Sequence, residues 1–126
     1  MKSQSIHKKL IKLIPDIATR RSAGKSKLAP DALMDLNLDV LSKQGSIVRI
    51  ALSHYYKQNG DMIADPDMEI IINTKLMTAN AMTYQDSMIF QSAEQDGGIN
   101  QALVNDLNVF LDQWLQNCIA QGHKIE

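Results

Sequence analysis

Within the sixteen residues His54–Glu69, the chain places a histidine, two tyrosines, an Asn-Gly pair and four carboxylates: HYYKQNGDMIADPDME. Asp61, Asp65, Asp67 and Glu69 supply the clustered oxygens that a hard cation takes, although their order, D-x-x-x-D-x-D-x-E, does not match the EF-hand loop. His54 carries the side chain that titrates near neutral pH. It becomes a general base if Asp61 or Asp67 orients it from across the loop. These five residues together would make a metal-dependent hydrolase. The plainer reading is turn chemistry. Asn59-Gly60 is a tight-turn signal, and Asp61 and Asp65 flank it with short side chains that bond local backbone. On that reading His54 ends a strand and bonds the loop backbone, while the acids solvate an outer face.

Elsewhere the chemistry is thinner. Cys118 is the single cysteine, which excludes an internal disulfide. It stands on an apolar helical stripe and reads as a small buried hydrophobe. Ser46, Ser53 and Ser87 lie in no nucleophile-elbow pattern. Tyr55, Tyr56 and Tyr84 could stack bases, but no aromatic ribonucleoprotein pattern accompanies them. His7 and His123 lie near the ends of the chain and read as exposed.

The elements that must position these groups follow from periodicity. Ile6, Leu10, Leu13 and Ile17 recur at helical spacing, with Pro15 to end or kink the helix. Residues 18–31 lack apolar periodicity and read as a loop. In 33–41, LMDLNLDVL, Met34, Leu36, Leu38 and Val40 alternate with Asp35, Asn37 and Asp39, as in a half-buried antiparallel strand. Ser42–Gly45 is a hairpin turn, and 46–55 resumes as a strand with Val48, Ile50, Leu52 and His54 on one face. Lys57–Pro66 then forms a ten-residue loop, and Asp67–Thr74 a third strand rich in β-branched residues. Residues 76–84 and 87–92 suggest a second hairpin around Gln85-Asp86. The final stretch carries one helical stripe of Leu103, Leu107, Phe110, Leu111, Trp114, Leu115, Cys118 and Ile119, started by Asn100 or Gly98 and ended by Gly122.

These elements predict a single α+β domain over 1–126. Its parts are a basic N-terminal helix (1–17), a loop (18–31), an antiparallel meander of about five strands (32–93) and a long C-terminal helix (99–122). Both helices are expected on one face of the sheet. No Gly-rich phosphate loop follows a strand, so a Rossmann or P-loop nucleotide site is not supported. No apolar run approaches a membrane span. The N-terminal segment has positive charge without a signal-type apolar core, so a cytoplasmic location is the expectation.

Charge is unevenly placed. Residues 1–30 hold eight Lys and Arg against Asp16 alone, while the remaining 96 residues hold five basic and thirteen acidic side chains. Lys8, Lys9, Lys12, Arg20, Arg21, Lys25 and Lys27 are therefore candidates for a nucleic-acid contact. The competing reading lays that segment against the acidic remainder of the same chain.

His54-Tyr55, Gln58–Asp61, Asp65–Glu69, Met82–Tyr84, Phe110-Leu111, Trp114 and Gln121-Gly122 together resemble a bacterial family known as a domain of unknown function. Its members look like small proteins encoded on plasmids, integrative elements and phages. The resemblance covers roughly 32–122 and brings no established activity, substrate or catalytic residue. What it implies is an accessory role in a mobile element and a shared use for the loop.

The expected function is thus a non-enzymatic protein-interaction module, monomeric or homodimeric, without cofactor, metal or membrane attachment. Its recognition surface is the loop, with His54, Tyr55, Gln58, Asn59, Asp61, Asp65, Asp67, Glu69 and Tyr84. Nucleic-acid binding and hydrolysis are the alternatives.

Overall fold

A computed structural model describes residues 1–28 and 34–126. Helix α1 (Lys2–Leu13) leads to a short strand β1 (Gly24–Ser26) and then to β2 (Leu36–Gln44), β3 (Ile47–Gln58) and β4 (Asp61–Asn73). β5 (Thr78–Ala81), β6 (Thr83–Gln85) and β7 (Phe90–Ser92) follow. A small ribbon of β8 (Glu94–Gln95) and β9 (Gly98–Ile99) then precedes α2 (Gln101–Gln121). The main sheet runs β1-β2-β3-β4-β6-β7, with β5 also on β4, and every pairing is antiparallel. It is the expected meander, with seven strands rather than five.

The extra strands have physical origins. Gly24–Ser26, within the segment read as a loop, pairs with Leu36–Leu38. Nothing in its polar sequence announces a strand; it is held from outside. Ser26 Oγ accepts the Lys124 N–H at 3.1 Å and lies 2.9 Å from His123 Nδ1. The stretch 76–84 is divided at Met82, so β5 pairs with Ile70–Asn73 and β6 with Asp67. The second hairpin turns at Asp86–Ile89, slightly later than expected. There Asp86 Oδ1 accepts the N–H groups of Met88 and Ile89. The beginning of the expected strand, at Leu33, lies outside the described residues.

Both central hairpins are tighter than the sequence suggested. Ser42, Lys43 and Gln44 continue β2 and leave Gly45 (φ 60°) and Ser46 as the turn. Lys57 and Gln58 likewise continue β3, and Asp61 onwards already belongs to β4. The ten-residue loop is in fact the two residues Asn59 (φ 54°) and Gly60 (φ 87°). Positive φ at both positions is the turn that Asn-Gly favours because its twist matches that of the flanking strands. The polar composition of 57–66 had masked the alternation beneath it.

Leu36, Leu38, Val48, Ile50, Leu52, Met68, Ile70 and Ile72 face a core closed by both helices, so the helices do lie on one side. α1 contributes Ile6, Leu10 and Leu13, and Ile14 and Ile17 complete its share beyond the helix end. Ile14 leaves helical geometry (φ −134°, ψ 80°) because the following proline disfavours the α conformation before it. α2 starts at Asn100, whose side chain accepts the Leu103 N–H, and stops at Gly122 in the left-handed conformation (φ 95°). Along it Leu107, Leu111, Trp114, Leu115 and Cys118 are buried as the stripe required, but Phe110 is 41% exposed. Two polar residues take interior places instead. Asn108 Oδ1 accepts the Ala81 N–H at 2.8 Å and its Nδ2 donates to Asn80 Oδ1. Asp112 receives Ser5 Oγ at 2.8 Å, Lys9 Nζ at 2.9 Å and Lys2 Nζ at 3.2 Å.

His7 and His123 are buried, not exposed. Burial on α1 extends past its apolar stripe to His7, and the tail folds back over β1 to bury His123. The Ile125 N–H donates to the Leu13 carbonyl at 2.7 Å. Among the described residues no helix is long and apolar enough to cross a membrane.

Candidate functional site

β3 and β4 outrun their neighbours. The last β2 partner of β3 is Ser53, and the β6 partner of β4 is Asp67, yet β3 and β4 pair onward from Tyr55↔Ala64 to Gln58↔Asp61. Residues 55–64 therefore form a two-stranded arm standing beyond the sheet. Its tip carries Lys57, Gln58, Asn59, Gly60, Asp61 and Met62, all exposed. A register shift between Ser53 and Tyr55 marks its root. A lone hairpin is marginal in water; this one is tied down because its strands are continuous with the core strands behind it.

The four carboxylates do not converge. Asp61 is at the tip and Asp65 is exposed near the root. Asp67 accepts the Tyr55 hydroxyl at 2.7 Å on the outer face. Burial, with Asp67 beside it, raises the pKa of Tyr55 above that of an ordinary phenol. Glu69 accepts from Arg49 Nε at 2.8 Å, and Arg49 also donates twice to Glu94, from Nη1 at 2.9 Å and from Nη2 at 2.6 Å. Hydrogen bonding to Arg49 holds the Glu94 carboxyl below its ordinary range. Among the described residues no three His, Cys, Asp or Glu side chains are placed to hold a metal ion. The hydrolase arrangement thus lacks its cluster.

His54 is 6% exposed and points inward, away from the turn it was expected to hold. Its Nδ1 lies 2.8 Å from the Asp35 carbonyl oxygen, an acceptor, which puts the proton on Nδ1. Nε2 faces Cys118 Sγ at 3.7 Å. Trp114 meets the imidazole edge-on at 5.3 Å, and His123 lies at 5.6 Å. Burial lowers the pKa of His123, and the proximity of His54 adds to this. The Met34 carbonyl works the other way from outside hydrogen-bonding geometry, since His123 Nε2, like Trp114 Nε1, has no partner among the described residues. Burial pushes the Cys118 thiol up to about 12. The residue also sits in the last turn of α2, where the helix dipole opposes a thiolate. The Cys118 thiol therefore stays protonated beside His54 and is no nucleophile.

Above this pair lies a cleft of about 360 Å³ between α2 and the arm root, lined by Asp65, Pro66, Phe110, Trp114 and Gln121 among others. His54, Asp65-Pro66, Phe110, Trp114 and Gln121, scattered through the sequence pattern, are thereby brought together. A family model described as "Domain of unknown function (DUF6908)" matches residues 6–124. The chain belongs to this family. Comparison with curated proteins and with solved structures finds no match.

The remaining sequence candidates separate. Tyr84 is at the arm root, where its hydroxyl donates to Asp86 at 2.7 Å. Burial, with Asp86, pushes its pKa up to about 12. Of the basic set, Lys9 is engaged by Asp112, Arg20 by Asp16 and the Glu126 carbonyl, and Lys25 by Asp35 at 4.0 Å. Lys8, Lys12, Arg21 and Lys27 are exposed and form no ion pair among the described residues. Sequence reasoning missed Asp35, whose carbonyl orients His54, and Asn108 and Asp112, whose only signal was a polar residue interrupting an apolar helical face.

Proposed function

We propose that this chain is a non-enzymatic protein-interaction module whose recognition element is the 55–64 arm, backed by the cleft at its root. An accessory role in a mobile element is in keeping with the resemblance. The observation that carries this reading is the extension of β3 and β4 past both neighbouring strands with a polar, rigidly turned tip. A pre-ordered arm loses little conformational entropy on binding, and its paired backbone leaves the tip side chains free for contacts. Lys57, Gln58, Asn59 and Asp61 present both charges and amides, which suits a polar protein surface. The separated carboxylates and the protonated Cys118 thiol count against catalysis. Nucleic-acid binding through Lys8, Lys12, Arg21 and Lys27 stays the second reading, weakened because Lys9, Arg20 and Lys25 already have partners within the chain.

The test uses the register. Removing the opposed pairs Lys57/Met62 and Gln58/Asp61 shortens the arm and keeps every remaining side chain on its face. The shortened protein is expected to melt near the wild type and to lose cross-linked partners that the wild type captures. Capture of the same partners by the shortened protein would reject the arm, and a mobility shift of DNA or RNA abolished by Lys8→Glu/Lys12→Glu would favour the second reading.

A further inference from the structure

On the side of α2 facing the second hairpin, Tyr84 and Phe110 form an edge-to-face pair with ring centroids 5.2 Å apart and planes at 83°. They border a groove of about 320 Å³ with Leu103, Leu107 and Ile89 as its apolar lining. Phe110 and Ile89 are 41% and 49% exposed, and the turn beside them leaves Met88 86% exposed. Asp86 and Asp106 line the same groove, and Asp65 lines the neighbouring cleft that shares Phe110. None of the three carboxylates forms an ion pair among the described residues, and no Lys, Arg or His lines the groove. Asp86 is fixed in place by the Tyr84 hydroxyl and the Met88 and Ile89 N–H groups.

Aromatic faces and carboxylates attract the same guest. A cation over an aromatic ring is favoured by the ring quadrupole, and a planar guanidinium or an ammonium satisfies a carboxylate directly. A purely apolar guest would cover Asp86 and Asp106 without replacing their water, which costs free energy. A phosphate backbone would meet uncompensated like charge. We infer that this groove docks a basic amphipathic segment of a protein partner, with an apolar face on Leu103, Leu107 and Ile89 and a Lys or Arg between Tyr84, Phe110 and the carboxylates. This surface is separate from the tip of the arm. A second copy of this chain fits less well, because Lys2, Lys9, Arg20 and Lys25, half of its basic segment, are already bound within the chain.

Two short synthetic amphipathic helices, one of Leu and Lys and one of Leu and Glu in the same pattern, test the inference by calorimetry and amide chemical shifts at low salt. The Leu/Lys helix is expected to bind and to shift Ile89, Asp106 and Phe110, and the Leu/Glu helix is not. Asp106→Lys, at an exposed position whose side chain has no hydrogen bond among the described residues, should weaken binding about tenfold, and Phe110→Ser roughly fivefold. Shortening the arm should leave this binding unchanged, which separates the two surfaces. Failure of the Leu/Lys helix to bind, equal binding of the Leu/Glu helix, or unaltered affinity in Asp106→Lys would each overturn the assignment. So would a solution dimer that Phe110→Ser dissociates, since the groove would then belong to a second copy.

Discussion

Asp112→Asn is the substitution whose consequence can be worked furthest. Asp112 is 8% exposed, and its carboxylate takes three donors from α1: Ser5 Oγ at 2.8 Å, Lys9 Nζ at 2.9 Å and Lys2 Nζ at 3.2 Å. Burial disfavours its charge, but the bonds from Lys9, Ser5 and Lys2 outweigh burial and hold its pKa below the usual value. A hydrogen bond to a charged group contributes roughly 1.5–3 kcal/mol. The Lys2 bond is discounted because that side chain is 53% exposed and solvent-screened. The amide retains one acceptor for Ser5 or Lys9, so the net loss is about 2 kcal/mol. For a chain of this size that lowers the melting temperature by about 6–10 °C. The pH dependence has a definite sign. A depressed carboxylate stabilises the fold fully above its unfolded pKa of about 4 and loses that contribution as pH falls through the lower folded value. Urea denaturation of both proteins from pH 7 to pH 3 should show a constant gap down to about pH 5, then a narrowing one. A gap that stays the same width at pH 3, or a variant as stable as the wild type at pH 7, would refute the assignment of the α1–α2 junction to this charge.

Three further outcomes are expected. Gly24→Ala would put a Cβ 2.5 Å from Ile125 Cγ2 and 2.9 Å from Arg20 Nη2, so thermal melts should show a loss of about 1–3 kcal/mol as β1 and the tail separate. Gly60→Val meets no atom within 4 Å, and its cost is backbone strain alone at φ +87°. That is about 1–2 kcal/mol, seen as faster amide exchange at Lys57 and Met62 before any global effect. Cys118, 1% exposed with its thiol pushed up to about 12, should resist thiol reagents in the native protein at pH 8 and react at once in urea; fast native labelling would contradict a buried, protonated thiol.

Much of this fold was written locally. The stripe from Leu107 to Cys118, the Asn100 and Gly122 caps and the alternation in Leu36–Val40 depend on periodicity and on backbone preferences of single residues, and these act within a few positions of chain. Asn59-Gly60 signalled its turn for the same reason, since only residues tolerant of positive φ fit there. The length of the hairpin around that turn was decided elsewhere. Lys57, Gln58 and Asp61 have no intrinsic strand preference; they extend because the registered strands behind them carry the ladder outward. β1 exists because Ser26 meets His123 and Lys124, 97 and 98 residues away along the chain. His54 and Cys118, or Tyr84 and Phe110, share no sequence pattern at all, since helix and sheet come together only through burial of a common core. Burial of polar Asn108 and Asp112 likewise became tolerable only once β5 and α1 supplied partners. Local rules set which elements form, whereas long-range packing sets how far they run, which polar groups are buried and which side chains meet.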